Sequence, residues 1–292
     1  MSASTPTDRV ALHWDGQRVH IEYQWQRSAD TGAPLLVFLH EGLGSVAMWR
    51  DFPATLCATL GCRGLVYSRP GYGRSTPRPP DVHWGPDFMH RQAAELLPAL
   101  LQALGVDPVR ERMSLLGHSD GGSIALLFAA MFPAQLRACI VLAPHIVVEE
   151  LSLHSIAQTR QAYLHTDLRQ KLARYHDDPD SAFWGWNDIW LHPDFRTWRI
   201  DQALASIRCP VLAIQGLGDA YGTLEQVRGI ARVVPQCQVV ELPDCGHAAH
   251  KDQSQRVTTL IRDFLQRQTW TNRIPPHLVG LQDFRHTGFQ LP

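Results

Sequence analysis

The chain has 292 residues, a length that fits about two average domains or one large α/β domain carrying an insertion. Hydrophobic residues make up 45% of it and charged residues 19%, which supplies an ordinary core and argues against disorder. The 27 Lys and Arg residues nearly balance the 28 Asp and Glu residues, which argues against a nucleic-acid binder, since phosphate contacts need a basic face.

Targeting and membrane signals are not recognisable in the sequence. Residues 1–10 are polar and mixed in charge, unlike a signal peptide. The longest apolar run, 124–132, is far shorter than the roughly 20 residues that span a bilayer. The cysteines are scattered without a CxxC pair, so we expect reduced thiols and no disulfide or thiol-bound metal. We therefore expect a cytoplasmic protein with no membrane partner.

Hydrophobic periodicity predicts an alternation of strands and helices. Residues 9–14 and 18–25 alternate in polarity around Asp15-Gly16, which predicts a β-hairpin. The run 35–39 is too short for a helix and apolar on both faces, as a central parallel strand requires. Later segments repeat the pattern, with strands predicted at 64–67, 113–116, 139–142, 211–214 and 239–242, and helices at 88–104, 123–131, 224–234 and 255–266. This alternation predicts an α/β fold with a mostly parallel sheet and helices on both faces.

One long segment interrupts that alternation. Residues 145–207 contain no strand-like run but several short amphipathic pieces and an aromatic cluster at 183–190. An insertion of this size between two core strands predicts a helical cap over the sheet. We therefore predict an α/β core at residues 1–144 and 208–270, a cap at residues 145–207 and a C-terminal extension at residues 271–292.

A serine lies on the predicted turn between the strand at 113–116 and the helix at 123–131. Residues 117–121 have the G-x-S-x-G pattern in this strand–turn–helix context, and the context is what makes the pattern informative. Glycines let such a turn close, and the first N–H groups of the helix face whatever the hydroxyl attacks. Ser119 is therefore the candidate nucleophile, whereas His118 is expected to point away and to pack against the cap.

A serine hydroxyl needs a base, and the base needs a carboxylate that fixes its tautomer. Asp219 follows the strand at 211–214 and His247 follows the strand at 239–242, so both belong to the sheet edge that holds Ser119. His250 is an alternative base, although a glycine directly precedes His247 at the turn. Asp244 is an alternative acid, although its position is typical of a turn residue.

The loop after the first central strand carries two glycines at the same sheet edge, within residues 40–45. A backbone N–H in such a loop can face a developing oxyanion. We assign this donor to Gly42 and a second donor to the N–H of Asp120. His40 is expected to shape the loop and to lie near the substrate, not to carry a proton.

Together these sites resemble the α/β-hydrolase family over about residues 10–267. The segment 67–75 is similar to the family's G-x-G-x-S turn after the next core strand. The resemblance implies a mostly parallel, doubly wound sheet with a helical cap. It also implies the site residues: the nucleophile is Ser119, the acid is Asp219 and the base is His247. The two oxyanion amides are those of Gly42 and Asp120.

Two positions depart from the family pattern. Glu41 stands where the family usually has glycine, and Ser68 stands where many members have aspartate. The elbow at 119–122 is similar to that of the valacyclovir-hydrolase branch, in which the carboxylate after the serine helps bind the ammonium group of an amino-acid ester. The resemblance implies this role for Asp120, and the alternative is that its side chain caps the helix or meets an arginine.

Tryptophans in the predicted cap bear on the substrate. Trp186 and Trp190 are four residues apart and share a helical face, and Trp184 lies beside them in sequence. Such a stripe is typical of a core, but in a cap it also roofs the site, which favours a flat or apolar acyl group. We count all three as candidate substrate contacts. No phosphate loop, dinucleotide fingerprint or metal-ligand set is recognisable, so no cofactor or metal is expected.

These residues predict a serine hydrolase that cleaves a small-molecule ester, thioester or lactone through an acyl-enzyme on Ser119. Hydrolysis of a C–C bond in a ring-cleavage product uses the same three residue types and stays an alternative. A small-molecule receptor on the same fold is the other alternative, disfavoured because all three side chains are present. The pattern is compatible with a monomer or a homodimer.

Overall fold

An antiparallel hairpin opens the fold. The computed structural model describes residues 6–26, 32–111 and 113–268. β1 (Asp8–Trp14) pairs with β2 (Gln17–Gln26), and the connecting turn has φ of 53° at Asp15 and 69° at Gly16. Two left-handed residues form the short turn whose twist matches that of the strands. The hairpin prediction is confirmed.

Eight strands of the described chain form a single sheet in the order β1-β2-β4-β3-β5-β6-β7-β8. The remaining strands are β3 (Leu35–Leu39), β4 (Arg63–Tyr67), β5 (Met113–His118), β6 (Leu136–Leu142), β7 (Val211–Gly216) and β8 (Cys237–Leu242). Neighbouring strands from β4 to β8 are parallel, whereas β2 joins β4 antiparallel. Each predicted apolar run lies within one of these strands, so the α/β class is confirmed.

Helices cover both faces of this sheet. They are α1 (Phe52–Leu60), α2 (Phe88–Arg91), α3 (Leu97–Ala103), α4 (Pro108–Glu111), α5 (Asp120–Met131), α6 (Glu150–His165), α7 (Leu168–Leu172), α8 (Pro179–Trp190), α9 (Glu225–Val233), α10 (Ala249–Asp252) and α11 (Ser254–Arg267). Alternate residues of β3 face opposite layers, because Phe38 packs with the cluster of α1 and α11 while Val37 packs with that of α2, α3 and α5. No helix of the described chain is long and apolar enough to cross a membrane.

Two helical details differ from the sequence expectations. The helix predicted at 88–104 is divided into α2, a π-helical segment Gln92–Leu96, and α3. Pro98 lies in the first turn of α3 and has no N–H to donate, which explains why the regular pattern breaks just before it. Helix α1 was not predicted, although Pro53 in its first turn and Gly61 at φ 61° after its end are typical helix signals.

The insertion between β6 and β7 is helical. It contains α6, α7, α8 and two short 3-10 turns, and an isolated bridge between Val147 and Arg199 joins its two ends. Asp178 caps α8 by accepting the N–H of Ser181 at 2.9 Å. The boundaries of the core and cap remain a prediction, and the predicted extension at 271–292 lies outside the described residues.

Candidate active site

The carboxyl ends of three strands bring the predicted site residues to one edge. Strands β5, β6, β7 and β8 are successive parallel neighbours in the sheet, so the loops after β5, β7 and β8 leave on the same side. Ser119 follows β5 directly, Asp219 lies in the loop after β7, and His247 lies in the loop after β8. This is the edge at which open α/β sheets bind ligands.

Ser119 occupies a strained turn between β5 and α5. Its φ of 53° and ψ of −120° lie in a region that non-glycine residues rarely adopt, at a cost on the order of 1–3 kcal/mol. The surrounding structure holds it there, because Ser119 N donates to Leu142 O at 2.9 Å and Ser123 N donates to Ser119 O at 3.0 Å. A Cβ on Gly117 would overlap the backbone of Gly121, so this turn requires glycine at 117.

A buried carboxylate fixes the imidazole of His247. His247 Nδ1 lies 2.9 Å from Asp219 Oδ1 and 3.0 Å from Oδ2, and Tyr221 N donates to Oδ1 at 2.8 Å. Burial raises the pKa of Asp219, but the hydrogen bonds from His247 and Tyr221 outweigh it and hold the pKa below its usual value. Since the ionised carboxylate only accepts, Nδ1 carries the proton and Nε2 of the neutral ring keeps its lone pair.

Ser119 and His247 line the same cavity, which has a volume of about 250 Å³. Burial lowers the pKa of His247, and the hydrogen bond to Asp219 only partly offsets this, so the ring is neutral at pH 7. In the described part of the chain the His247 side chain bonds to Asp219 and not to Ser119. Such contacts are often long in ligand-free sites and shorten when substrate binds.

The alternative base and acid lie elsewhere. His250 is buried against the rings of Trp49 and Phe52, at centroid distances of 4.8 and 5.4 Å. Asp244 has a φ of 51°, and its carbonyl accepts the side-chain amide of Gln253, as expected of a turn residue. The geometry therefore pairs Asp219 with His247 and leaves His250 and Asp244 out of the pair.

The peptide bond between Glu41 and Gly42 is oriented by three donors. Glu41 O accepts hydrogen bonds from His40 Nδ1 at 2.7 Å, Arg69 Nη2 at 2.8 Å and Gly44 N at 3.0 Å. Because a trans peptide directs its C=O and N–H to opposite sides, the N–H of Gly42 points away from these donors. Gly42 lines the cavity, as does Asp120, the first residue of α5, where helical N–H groups lack internal partners.

Comparison with known proteins identifies the family. The sequence model described as "Alpha/beta hydrolase family" matches residues 36–260. The chain belongs to the alpha/beta hydrolase family. This confirms the resemblance and the fold class that the sequence predicted, and it supports hydrolysis as the general chemistry of the protein.

Three similar proteins illustrate the range of the family. The chain is 29% identical over 270 residues to the putative carbamate hydrolase RutD of Pseudomonas savastanoi pv. phaseolicola, covering 85% of this chain and 99% of that protein. It is 26% identical over 210 residues to serine hydrolase BPHL of Homo sapiens, covering 67% of each. A solved carboxylesterase structure of Nitrososphaera gargenis superposes with a TM-score of 0.71 at 18% identity, over 89% of this chain and 98% of that one. The structural likeness shows the shared fold.

Two predicted substrate contacts in this hydrolase lie outside the cavity. His40 is fully buried, and its Nε2 accepts the N–H of Arg69 at 3.0 Å while Nδ1 is bound to Glu41 O, so both ring nitrogens are used by the backbone. Trp184 packs against Tyr163 and beneath the guanidinium of Arg160, 5.3 Å from its ring, and lines a different cavity. Two residues correspond to about 200° around a helix, which turns Trp184 away from the face of its neighbours.

The other two tryptophans do line the cavity. Trp186 packs over Gly42 so closely that a Cβ on that glycine would overlap its indole. Trp190 is 1% exposed and donates from Nε1 to Asp120 Oδ1 at 3.1 Å. The predicted roof is therefore formed by Trp186 and Trp190 without Trp184.

The carboxylate of Asp120 is enclosed by protein groups. Besides the bond from Trp190, Oδ2 lies 3.7 Å from Arg69 Nη2, and both side chains are about 1% exposed. Burial raises the pKa of Asp120 to about 6, although the Arg69 charge opposes the shift. Of the two alternatives to ammonium binding, a helix cap and a contact with an arginine, this arrangement shows the contact with an arginine. Recognition of a substrate ammonium group by Asp120 remains a prediction.

Glu41 links the loop of Gly42 to the loop of His247. Its Oε2 lies 3.5 Å from His118 Nδ1 and its Oε1 lies 3.5 Å from Lys251 Nζ, while His118 Nε2 donates to His247 O at 2.9 Å. Burial raises the pKa of Glu41, but its interactions with His118 and Lys251 outweigh burial and hold the pKa well below its usual value. The expectation that His118 packs against the cap was wrong, since it is buried among these loops. The glutamate at position 41, where the family usually has glycine, was the feature of the sequence that could have indicated this link.

Proposed function

We propose that this hydrolase cleaves a small carboxylic ester, thioester or lactone with an apolar or aromatic acyl group, through an acyl-enzyme on Ser119. The observation that carries the proposal is the paired bond from His247 Nδ1 to the buried Asp219 carboxylate, beside a strained serine on the same cavity. This arrangement supplies a nucleophile, a base in a fixed tautomer and a group that stabilises the base when it becomes charged.

The proposed reaction has two acyl-transfer steps. Ser119 Oγ attacks the carbonyl carbon while His247 Nε2 takes the hydroxyl proton, and the carbonyl oxygen becomes an oxyanion bound by the N–H groups of Gly42 and Asp120. The bond to the leaving group breaks as His247 returns the proton to it. Water then attacks the acyl-enzyme with His247 again as base, releasing the acid and restoring Ser119.

The cavity supports a compact, flat acyl group. Its volume of about 250 Å³ lies near the lower end of small-molecule pockets, and its apolar lining includes Ile156, Trp186, Trp190 and the ring of Tyr221. We therefore expect an acyl group of about the size of benzoyl to fit this space. A larger leaving group, such as a coenzyme thioester, has to lie mostly outside it.

Replacement of the serine tests the proposal. We expect Ser119→Ala to lower hydrolysis by at least about 10⁴-fold and to abolish labelling by a fluorophosphonate probe, with an unchanged melting temperature. The panel contains short acyl esters, aryl esters, lactones, a coenzyme thioester, a carbamate, a ring-cleavage C–C substrate and an aminoacyl ester with its plain acyl counterpart. Ser254→Ala, at the exposed start of α11, is the matched control. Tight ligand binding without labelling of the wild type contradicts the proposal and favours a receptor.

A further inference from the structure

A buried imidazole of the cavity wall has a free hydrogen-bonding position. His145 lies just after β6, is 3% exposed, and lines the cavity that contains Ser119. Its ring packs edge-on against Trp190 at a centroid distance of 4.8 Å and lies 6.1 Å from the ring of His247. Within the described residues neither ring nitrogen has a hydrogen-bond partner; Nδ1 is enclosed by protein, whereas Nε2 keeps accessible surface. A ring nitrogen without a protein partner can bond to a ligand in the cavity.

The backbone of His145 is held firmly from the helix that follows the candidate nucleophile. Ser123 Oγ donates to His145 O at 2.6 Å and accepts the N–H of His145 at 3.0 Å. The preceding turn places Ala143 at a φ of 45°, a conformation that must be held by its surroundings. The ring is therefore presented to the cavity at a fixed place relative to Ser119.

Apart from Ser119 and His247, the other polar side chains of the cavity have hydrogen-bond partners or lie beside a charged group, as Asp120 Oδ2 does beside Arg69 at 3.7 Å and His118 Nδ1 beside Glu41 at 3.5 Å. The Tyr221 hydroxyl bonds to Thr159 Oγ1 at 3.0 Å, and Trp190 Nε1 bonds to Asp120. Glu41 lies between His118 and Lys251 at the other end of the lining. His145 is the roof-side polar group that a ligand can satisfy without breaking one of these contacts.

The charge state of His145 limits what it can bind. Burial, together with the neighbouring His247, lowers the pKa of His145 to about 3, so the ring is neutral near pH 7. A neutral imidazole has one N–H donor and one lone pair. It therefore matches a hydroxyl or carbonyl group and offers no charge to a carboxylate.

We infer that His145 is a specificity-determining residue that hydrogen-bonds a hydroxyl or carbonyl group of the substrate, in addition to the carbonyl that Ser119 attacks. The substrate class is then a compact ester that carries a second, neutral polar group beside a flat apolar part. This inference rests on the proposed function, because it places the substrate in the same cavity.

Paired esters on paired enzymes test the inference. The probes are methyl benzoate with methyl 2-, 3- and 4-hydroxybenzoate, and phenyl acetate with 3-hydroxyphenyl acetate. The measured quantity is the ratio of kcat/KM for each hydroxylated ester to that of its parent. Comparing this ratio between wild type and His145→Phe cancels the intrinsic reactivity of the esters. In the wild type we expect kcat/KM to favour at least one hydroxylated ester over its parent by about tenfold or more. In His145→Phe we expect this ratio to fall to that of the other hydroxylated isomers. In His145→Gln, whose amide can still form a hydrogen bond, we expect part of the preference to remain.

Several results overturn the inference. A wild type without preference for any hydroxylated ester does so, and so does a preference that persists in His145→Phe. An equal loss of kcat on all esters assigns His145 to positioning His247 instead. His165→Phe, at the exposed end of α6, is the control for replacing an imidazole with a phenyl ring.

Binding separates this inference from the proposed function. The same ester pairs are titrated onto Ser119→Ala, with quenching of tryptophan fluorescence as the readout, since Trp190 contacts His145. A hydroxyl preference that His145→Phe removes in this background supports the inference even if the wild type turns over none of the esters. Equal affinities within each pair contradict it even if the wild type is an active serine hydrolase.

Discussion

The floor and the roof of the cavity are built by different physical means. The floor consists of the loops that carry Gly42, Ser119 and His247, and backbone hydrogen bonds or a buried carboxylate hold each of them. The roof consists of Trp186 and Trp190 on α8, which are held by aromatic packing such as the contact of Trp190 with Phe195 at 5.2 Å. Backbone constraints define positions closely, whereas packed rings can shift by small amounts.

This difference predicts how the two regions respond to substitution. In the proposed mechanism the floor carries the groups that act in the transition state, so we expect changes there to lower kcat for every substrate. Changes in the roof alter the shape and polarity offered to the substrate, so they change selectivity and KM. The following experiments test that division from the largest expected effect to the smallest.

Removing the charge of the buried acid is expected to have the largest effect in the floor. In Asp219→Asn the amide no longer holds His247 in the required tautomer, so we expect kcat to fall by about 10⁴-fold on all substrates. Steady-state kinetics on the ester panel measure the loss. The matched control is Asp81→Asn, an exposed carboxylate that does not line the cavity. A loss confined to some esters contradicts a role in the common chemistry.

The contact between floor and roof is tested at Gly42. A Cβ at this position overlaps the indole of Trp186, so Gly42→Ala displaces the loop, the roof or both. If the Gly42 N–H is an oxyanion donor, we expect a loss of about 10²-fold in kcat. The double variant with Trp186→Ala relieves the overlap, and we expect it to regain much of kcat while KM rises. Equal kcat in the single and double variants shows that the overlap is not the cause.

The smallest effect on activity near neutral pH is expected from a loss of stability at acid pH, which involves both regions. Burial lowers the pKa of His40 and His250 in the floor and of His145 beside the roof. Because the unfolded chain binds protons below about pH 6.5 and these folded sites do not, stability is full above that pH and falls as the pH decreases. Each histidine contributes a slope of up to about 1.4 kcal/mol per pH unit.

Thermal unfolding between pH 8 and pH 5 measures this slope. We expect the melting temperature to be level above pH 7 and to fall below pH 6.5, and His145→Phe to show a shallower fall. A melting temperature that stays level down to pH 5 contradicts the prediction, since it requires that the unfolded and folded chains bind protons equally.

The pattern of residues along the chain determined the floor. Apolar runs separated by helical segments predict a parallel sheet, and in such a sheet the loops after successive strands meet at one edge. Ser119, Asp219 and His247 each follow such a run, so their common edge could be derived before their distances were known. The same reasoning led to Gly42, because glycines in that loop leave the backbone accessible.

Only the tertiary structure decided which side chains meet one another around these groups. The contact of His118 with the His247 carbonyl joins residues 129 apart in the chain, and the pairing of Arg69 with Asp120 depends on two strand ends approaching. Neither has a periodic signal in the sequence. The outward turn of Trp184 and the free position on His145 likewise follow from how α8 packs against the sheet. Periodicity along a chain encodes which face of an element is buried, but the partners of a polar group on that face are set by packing between distant segments.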